Sequence, residues 1–404
     1  MTALHPLDVD RWPGIASVPN SPVRASAARQ ILRRAVRDLP VTVRLPDGTR
    51  LGGGGPELEI VSDAFFHRIG ADLKIGFGEA YMAGDWRPGQ GSDLADVLTV
   101  FARRLPTLMP PVLQRFRKLL ERPIAQGNDR AGARANVAHH YDLSNDLFAT
   151  FLDPTMTYSS ALFAAGDTLA EAQRRKIDGV LDFARVRSGS RVLEIGTGWG
   201  ELAIQAASRG AEVRSITLSA EQRDLARKRI AHAGVPADVE LRDYRDVQGE
   251  YDAIVSVEMI EAVGERYWPE YFAAVARLLA PGGRFGLQSI TMPHDRLLAT
   301  RHAQGWIHQY IFPGGLIPSV EAIRTTAATA GLDIVQRRDF GPDYARTLQL
   351  WRERFIAEAD AVGELGFDAV FRRMWEFYLA YSEAGFRSGY LGVSQFALTR
   401  RSSR

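Results

Sequence analysis

The sequence predicts an α/β protein in which a small α+β domain precedes a larger domain built on an open, mostly parallel sheet. Apolar strands alternate with helices from residue 191 onward, which is typical of such a sheet. Gly196, Gly198 and Gly200 directly follow the first of these strands and precede a helix, so we expect a ligand at this loop. The chain has 404 residues, more than one core usually holds, which favours two domains.

Changes in composition predict the domain boundaries. Residues 1–20 hold few periodic apolar positions and are predicted to be a tail, and residues 21–122 are predicted to form the small domain. Residues 123–137 are polar, contain Gly, Ala and Pro, and show no periodicity, so we assign them to a linker. The larger domain then spans residues 138–404.

Local patterns predict the elements within each domain. In the small domain they indicate helices over residues 26–37 and 93–104, and two strands around the Pro-Asp-Gly turn of residues 46–48. In the larger domain they indicate five strands, at 191–195, 212–218, 238–244, 251–257 and 284–291, and helices at 200–210 and 219–234.

Composition excludes several classes of function. The chain has no cysteine, which rules out disulfides, thiolate metal sites and a cysteine nucleophile. Its 50 Lys and Arg against 48 Asp and Glu give a net charge of +2, so we predict no nucleic-acid partner. The adjacent His139 and His140 would not face one point on a helix, and we predict no metal site. No apolar run is long enough to span a membrane and the N-terminus lacks a secretory signal pattern, so we expect a cytoplasmic protein.

Three segments combine basic with large apolar side chains, namely residues 29–37, 101–123 and 371–387. Two interpretations stay open for them: amphipathic helices on a protein surface, or helices that contact anionic lipid headgroups. The aromatic residues between 371 and 390 are expected to form core or to line a tunnel rather than to bind a cofactor.

The glycine loop resembles the S-adenosylmethionine (SAM) loop of class I methyltransferases. A dinucleotide-binding loop has the spacing G-x-G-x-x-G and an acid at the end of the second strand, whereas this loop has G-x-G-x-G and the second strand ends in SITLS. A P-loop is excluded because no Gly-Lys-Ser/Thr follows. Glu194 precedes the first glycine in the string LEIGTGWG, and the resemblance implies a Rossmann-like domain that binds SAM.

Further strings are similar to those of the cyclopropane-fatty-acid synthase family, whose members methylate double bonds in fatty acyl chains. The resemblance covers residues 135–395, and the N-terminal part is similar to the accessory lipid-binding domain of members that act on phospholipids. The strings are HHYDLSNDLFATFLDPTMTYSSALF at 139–163, ITLSAEQ at 216–222, VEMIEAVGERYWPEYF at 257–272, YIFPGGLIPS at 310–319 and YARTLQLWRERF at 344–355.

The resemblance implies which residues hold SAM. Thr217 and Gln222 would bind the ribose hydroxyls, Tyr158 would lie near the carboxylate end, and Tyr244 would pack on the adenine. For the two tyrosines core packing is the alternative, and we expect Glu194 to orient the loop rather than to contact the cofactor. The full set is Tyr158, Glu194, Gly196, Thr197, Gly198, Trp199, Gly200, Thr217, Leu218, Gln222, Asp243 and Tyr244.

The chemistry of the family needs a base, because methylation of an alkene leaves a carbocation that must lose a proton. In the family this base is a bicarbonate ion held by cysteine, glutamate, histidine and tyrosine. Glu261 and Tyr344 match two of these positions, whereas Ser160 replaces the cysteine and Gln288 the histidine. Neither replacement carries the positive charge with which histidine could hold an anion.

We therefore expect bicarbonate to bind weakly or not at all, and Glu261 to act as the base itself, through a water molecule or with Tyr344. The alternative for Glu261 is a purely structural carboxylate. The departures at Ser160 and Gln288 favour the members that make methylene fatty acids, precursors of 10-methyl branched chains such as tuberculostearic acid.

The sequence thus predicts a SAM-dependent C-methyltransferase that acts on unsaturated acyl chains of phospholipids. The alternatives are a cyclopropane-fatty-acyl-phospholipid synthase and, in another class, a non-catalytic lipid-binding protein. The expected partners are the phospholipid substrate, the inner face of the cell membrane as a peripheral attachment site, a second copy of the chain in a homodimer, and a reductase that acts on the methylene product.

Overall fold

The computed structural model describes residues 10–108 and 144–401, and these residues form two compact units that do not follow each other along the chain. The first unit comprises 10–108 together with His302–Ile311 and Arg352–Tyr390. The second comprises the described residues of Ile124–Arg301, with Phe312–Trp351 and 391–401. The predicted division assigned His302–Ile311 and Arg352–Tyr390 to the larger domain, whereas both segments belong to the first unit. This part of the prediction is corrected.

In the described part of the first unit, a four-stranded sheet has the order β2-β1-β3-β4. The predicted hairpin is present, since Val43 of β1 pairs with Leu51 of β2 in antiparallel register. The elements are α1 Pro13–Ala16, α2 Pro22–Ala35, β1 Thr42–Arg44, β2 Arg50–Leu51, β3 Glu57–Ile60, α3 Ala64–Ala71, α4 Leu73–Ala83, β4 Trp86–Pro88, α5 Leu94–Leu108, α13 Trp306–Tyr310, α16 Ala359–Glu364 and α17 Ala369–Arg387.

The helix α17 explains why residues 352–390 belong to the first unit. One face of α17 is apolar and packs against α4 and α5, with the ring of Phe377 5.4 Å from Tyr81 and 6.2 Å from Phe77. Phe371, Trp375 and most other aromatic residues of this helix are buried. Contact with lipid headgroups is therefore not the role of this face, and its aromatic side chains form core.

The predicted tail is ordered where the structure describes it. Residues 13–16 form α1, and the side chain of Ile15 is buried. The buried Arg68 guanidinium donates to the carbonyl oxygens of Gly14, Ile15 and Ser17, at 3.1, 2.6 and 3.3 Å. These backbone contacts depend on a side chain distant in sequence, which is why composition alone suggested a tail.

The glycine-rich segment after residue 72 is a helix, which the sequence pattern did not predict. α4 begins at Leu73 with Asp72 as its N-cap, and its glycines allow close packing within the first unit. A Cβ atom on Gly76 would lie 2.2 Å from the carbonyl oxygen of Arg68, and one on Gly78 would lie 2.4 Å from the ring of Trp306. Glycine normally disfavours a helix interior, but here only glycine leaves room for the neighbours.

The described residues of the second unit contain a seven-stranded sheet of order β10-β11-β9-β8-β5-β6-β7. The five strands from β9 to β7 are parallel to their neighbours, and β11 is antiparallel to both β9 and β10. The elements are α6 Asn145–Phe151, α7 Leu169–Phe183, β5 Arg191–Ile195, α8 Glu201–Ser208, β6 Glu212–Thr217, α9 Ala220–Ala233, β7 Ala237–Leu241, β8 Tyr251–Val257, α10 Ile260–Val263, α11 Trp268–Leu278, β9 Leu279–Thr291, α12 His294–Thr300, α14 Val320–Thr329, β10 Leu332–Asp339 and β11 Gly392–Arg400, with short 3₁₀ turns at Tyr244–Asp246 and Glu265–Tyr267. The remaining helix, α15 Gly341–Ala357, has residues in both units.

The topology of this sheet fixes where a ligand binds. The strand order reverses at β5, which lies between β6 and β8. In open α/β sheets, ligands bind at the carboxyl ends of the strands beside such a reversal. The glycine loop follows β5 at this point, as the sequence predicted.

Several sequence predictions fall outside the described residues: the linker 123–137, the pair His139 and His140, and the part of the basic-apolar segment 101–123 beyond residue 108. Within the described ranges, no helix is both long and apolar enough to cross a membrane.

The first unit allows a test of its buried ion cluster. The Arg352 guanidinium lies between Glu383, whose side chain is fully buried, and Asp93, at 2.9 and 2.8 Å. Glu383→Ala leaves a buried positive charge with less compensation, and we expect it to lower the free energy of unfolding by about 3–5 kcal/mol. The control Glu321→Ala breaks an exposed pair with Arg324 and should cost about 0–1 kcal/mol in the same urea titration. Equal losses in the two variants would contradict the assignment.

Candidate active site

The glycine loop is fixed to the neighbouring strand through its backbone. Gly196 and Thr197 donate their N–H groups to the carbonyl oxygen of Ile216 in β6, at 3.0 and 3.2 Å. Gly196, Gly198 and Gly200 have φ values of 98°, 52° and 90°, which glycine adopts without strain. The loop therefore turns sharply between β5 and α8.

Two of these glycines face different surroundings. A Cβ atom on Gly198 would meet no protein atom within 4 Å. A Cβ atom on Gly196 would lie 2.4 Å from Cγ of Met259, which follows β8. Gly196 thus lets the loop approach the turn after β8, whereas Gly198 leaves its side of the backbone open to a ligand.

The buried side chain of Glu194 is connected to the loop through Ser215 and Thr197. Glu194 in β5 faces Ser215 in β6, whose hydroxyl donates to the carboxylate at 2.5 Å. The same hydroxyl is 2.7 Å from that of Thr197. Burial raises the pKa of Glu194 to about 8, and the charge of Lys176 opposes this rise.

Aromatic side chains close one side of the loop. The indole of Trp199 donates to Asn145 at 2.7 Å, and its ring lies 4.9 Å from Phe148. Tyr158 packs between Phe148 and Trp351, at ring distances of 5.1 and 5.2 Å. The structure therefore brings Tyr158 and Trp199 together around a shared phenylalanine.

The predicted ribose-binding pair lies at the end of the next strand. The Thr217 hydroxyl donates to Gln222 Oε1 at 2.9 Å and accepts from the Ser219 N–H at 3.1 Å. Leu218 lies between them in the chain and is partly buried. The side chains of Thr217, Leu218 and Gln222 at this strand end are all neutral.

The remaining predicted cofactor residues follow β7. Both oxygens of Asp243 accept from Arg245, at 2.8 and 2.6 Å. Tyr244 is buried, meets Tyr271 edge to face at 5.4 Å, and belongs to the core. Core packing accounts for these contacts of Tyr244, and its contact with adenine stays a prediction.

The loop and the adjacent strand ends fit SAM. The open backbone at Gly198, the neutral hydroxyl and amide of Thr217 and Gln222, and the aromatic wall at Tyr158 all lie at the carboxyl edge of the parallel strands. SAM would supply an electrophilic methyl group at this edge.

A second group of residues forms a polar pocket around a carboxylate that sequence reasoning missed. Glu258 directly follows β8, and its Oε1 accepts from the Ser160 backbone N–H at 3.0 Å and from Gln288 Nε2 at 2.9 Å. Its Oε2 accepts from the Tyr344 hydroxyl at 2.6 Å. Three of the four predicted catalytic residues therefore contact Glu258, and Tyr344 does not pair with Glu261 as predicted.

Neighbouring strands hold this pocket in place. Gln288 of β9 lies opposite Gln395 of β11 and accepts from its amide at 3.0 Å. The Gln395 amide also donates to the carbonyl oxygen of Lys176 at 2.8 Å. The hydrogen bond from the Gln395 amide thus fixes the orientation of the Gln288 side chain toward Glu258.

A buried lysine corrects the expectation that the pocket lacks a positive charge. Lys176 on α7 is 1% exposed, and its Nζ donates to Ser159 Oγ at 2.5 Å. Burial lowers the pKa of Lys176 to about 8, against the opposing charges of Glu258, Asp153 and Glu194. An amphipathic helix does not show from sequence alone that one of its lysines points inward.

Glu261 lies on α10, next to the pocket but with other partners. Its Oε1 accepts from the Ser289 hydroxyl at 2.9 Å and from the Ile290 N–H at 2.6 Å. Its Oε2 is buried and has no hydrogen-bond partner among residues 10–108 and 144–401. Burial, with the charge of Glu258 added, raises the pKa of Glu261 to about 8.

Within the described ranges, no three His, Cys, Asp or Glu side chains are arranged to hold a metal ion.

Solved structures share this architecture. The cyclopropane synthase MmaA2 from Mycobacterium tuberculosis matches with a TM-score of 0.61 and 32% identity, over 66% of this chain and 97% of that one. The mycolic acid cyclopropane synthase CmaA1, solved with SAH and CTAB, matches with the same score, identity and coverage. Fold and loop therefore define a class I, SAM-dependent methyltransferase.

Sequence comparisons identify the family within this class. Residues 128–396 match the model of the mycolic acid cyclopropane synthetase family. The tuberculostearic acid methyltransferase UfaA1 of Mycobacterium tuberculosis is 53% identical over 98% of this chain and 96% of that protein. The cyclopropane-fatty-acyl-phospholipid synthase of Escherichia coli K12 is 33% identical over 87% of this chain and 90% of that protein. The chain belongs to the mycolic acid cyclopropane synthetase family.

The loop geometry predicts the effect of Gly196→Val. The new side chain would collide with Met259 and adopt a strained φ, so we expect the variant to lose measurable SAM affinity in isothermal titration. Gly189→Val is the matched control, because φ is 78° there and a Cβ meets nothing within 4 Å. SAM affinity retained by a folded Gly196→Val variant would overturn the site.

The raised pKa of Glu261 predicts a pH dependence of stability. Between its ordinary value of 4.5 and about 8, the folded state holds a proton that the unfolded state has released. The free energy of unfolding should therefore fall as pH rises through this window, and Glu261→Gln should reduce the fall. Urea unfolding at pH 4.5 and at about pH 8 measures the change in the free energy of unfolding. The variant Glu221→Gln, at an exposed position, is the control. The same fall in wild type and Glu261→Gln would contradict the assignment.

Proposed function

We propose that this methyltransferase adds a methyl group to the double bond of unsaturated fatty acyl chains in phospholipids and yields a methylene-branched chain. The observation that carries the proposal is the pocket in which Ser160, Gln288 and Tyr344 all donate to Glu258. This arrangement differs from the bicarbonate pocket that the family resemblance implies. The 53% identity to a tuberculostearic acid methyltransferase supports the same product.

Two products are chemically possible from the same cation. If the new methyl group loses a proton while it bridges both carbons, a cyclopropane forms. If a hydride moves first from the neighbouring carbon, loss of a methyl proton gives an exo-methylene group. A carboxylate with donors on both oxygens is held in one place. We infer that the cation rearranges before it meets this fixed base, which gives the methylene product. Cyclopropane formation is the alternative, supported by the 33% identity to the E. coli enzyme.

The product is tested by expressing the chain in a host that makes monounsaturated phospholipids. The two products have the same mass, so proton NMR of the purified fatty acids is needed. We expect vinylic methylene signals and no high-field cyclopropane signals, and none of either from the Gly196→Val variant. Cyclopropane signals as the main product would overturn the proposal.

We further propose that the enzyme works in the cytoplasm, attached peripherally to the membrane. Support comes from α2, whose only buried residue is Ala25 and whose Arg24, Arg33 and Arg34 are exposed. Exposed Val23 and Ile31 lie on the same helix, which gives it the basic and apolar character of lipid-binding helices. The homodimer and the reductase remain predictions.

Charge reversal tests the membrane proposal. Each arginine near an anionic membrane contributes about 1 kcal/mol, so Arg33→Glu with Arg34→Glu should weaken binding by on the order of tenfold or more. The measurement is cosedimentation with phosphatidylglycerol vesicles. Arg185→Glu with Arg187→Glu is the control, because both residues are exposed in the second unit. Unchanged vesicle binding by the α2 variant would contradict the proposal.

A further inference from the structure

Three of the four positions that the family resemblance assigns to bicarbonate binding already contact another group of this chain. Ser160, Gln288 and Tyr344 give their hydrogen bonds to Glu258. A carboxylate presents the same kind of acceptor oxygens to such donors as bicarbonate does. The residues do not fit a bound bicarbonate, because the donors that would hold it are used by the protein itself.

The backbone at Glu258 shows that this arrangement is maintained against strain. Its φ is 53°, a left-handed conformation that costs a non-glycine residue about 1–2 kcal/mol. Glycine would adopt the same turn freely. Strain of this kind persists only where the surrounding contacts impose it. Here the strained backbone is what directs the carboxylate to its donors.

Glu261, the base expected from sequence, is poorly suited to take a proton. Its pKa of about 8 leaves it largely protonated at neutral pH. Burial also raises the pKa of Glu258, but Lys176, Tyr344, Gln288 and the Ser160 N–H all oppose this rise by stabilising its charged form. Of the two neighbouring carboxyls, Glu258 is the one whose oxygens both accept hydrogen bonds, from the Ser160 N–H, the Gln288 amide and the Tyr344 hydroxyl.

We propose that the Glu258 carboxylate replaces bicarbonate and accepts the proton that the methylated acyl chain loses. The inference rests on the proposed methylation of an alkene, but not on which of the two products forms. One C–H bond of the added methyl group breaks, and its electron pair neutralises the cation. The pair forms either the ring-closing bond of a cyclopropane or, after the hydride shift, the second bond of the exo-methylene C=C. The proton adds to Glu258, which becomes a neutral acid and returns the proton to solvent after the product leaves.

The proposal predicts a change in bicarbonate dependence when Glu258 is removed. In buffer freed of carbon dioxide, wild-type turnover should not respond to added bicarbonate. Glu258→Gly frees the three donors and relaxes the backbone, so its turnover should fall by roughly 10²–10⁴-fold and recover in part with bicarbonate. Glu258→Gln fills the same space without basicity, so it should be equally impaired and show no recovery.

A binding measurement separates this role from a structural one. Isothermal titration with bicarbonate alone should show binding to Glu258→Gly and none to wild type or Glu258→Gln. Arg185→Gly is the matched backbone control, because Arg185 is exposed and has a similar φ of 56°. It should behave as wild type in both assays.

The outcomes distinguish this inference from the proposed function. Stimulation of the wild type by bicarbonate, or near-normal turnover by Glu258→Gln, would overturn the role of Glu258. Failure of folded Glu258→Gly to bind bicarbonate would also overturn it. If the wild-type product is a cyclopropane, the proposed methylene product is wrong. The role of Glu258 as the proton acceptor is then still decided by the bicarbonate experiments.

Discussion

A carboxylate that leaves water must find hydrogen-bond donors inside the protein, and the active site is organised around this requirement at Glu258. The Ser160 N–H, the Gln288 amide and the Tyr344 hydroxyl meet it at 3.0, 2.9 and 2.6 Å. Without them, the cost of desolvating the charge would exceed what the fold could compensate. Glu258 depends on these three donors for its stability in the protein interior.

The fold brings Glu258 and its three donors together from distant parts of the chain. Glu258 follows β8, Gln288 lies on β9, and Tyr344 lies on α15. Ser160 follows Ser159, whose hydroxyl accepts a hydrogen bond from the buried Lys176 of α7. Because β8 also adjoins β5, the same turn carries Met259 against Gly196. The proton acceptor and the cofactor loop are thus linked through adjacent strand ends.

Sequence patterns predicted the parts that repeat or that resemble known strings. The alternation of strands and helices predicted the parallel sheet, and the spacing at Gly196, Gly198 and Gly200 predicted the loop. Glu258 was missed although it stands in a quoted string, because the resemblance directs attention to Glu261. The signal available was an acid directly after a predicted strand, but only the backbone shows its positive φ.

Other errors have the same physical origin in tertiary contacts. Lys176 lies on a helix whose pattern does not mark it as buried, and α17 carries an apolar face whose partners are α4 and α5. The ordering of residues 13–17 depends on Arg68, more than fifty residues away. Local patterns cannot encode such pairings, whereas they do encode periodicity and turns.

Glu258, and no external ion, accepts the hydrogen bonds of the three donors in the pocket. Carbon-13 NMR of the folded wild-type enzyme, with glutamate labelled at the side-chain carboxyl carbon, tests this most directly. The Glu258 signal, assigned by its loss in Glu258→Gln, should titrate above the ordinary value of 4.5 and stay unchanged when bicarbonate is added. A signal that titrates at the ordinary value, or that shifts with bicarbonate, would contradict the account.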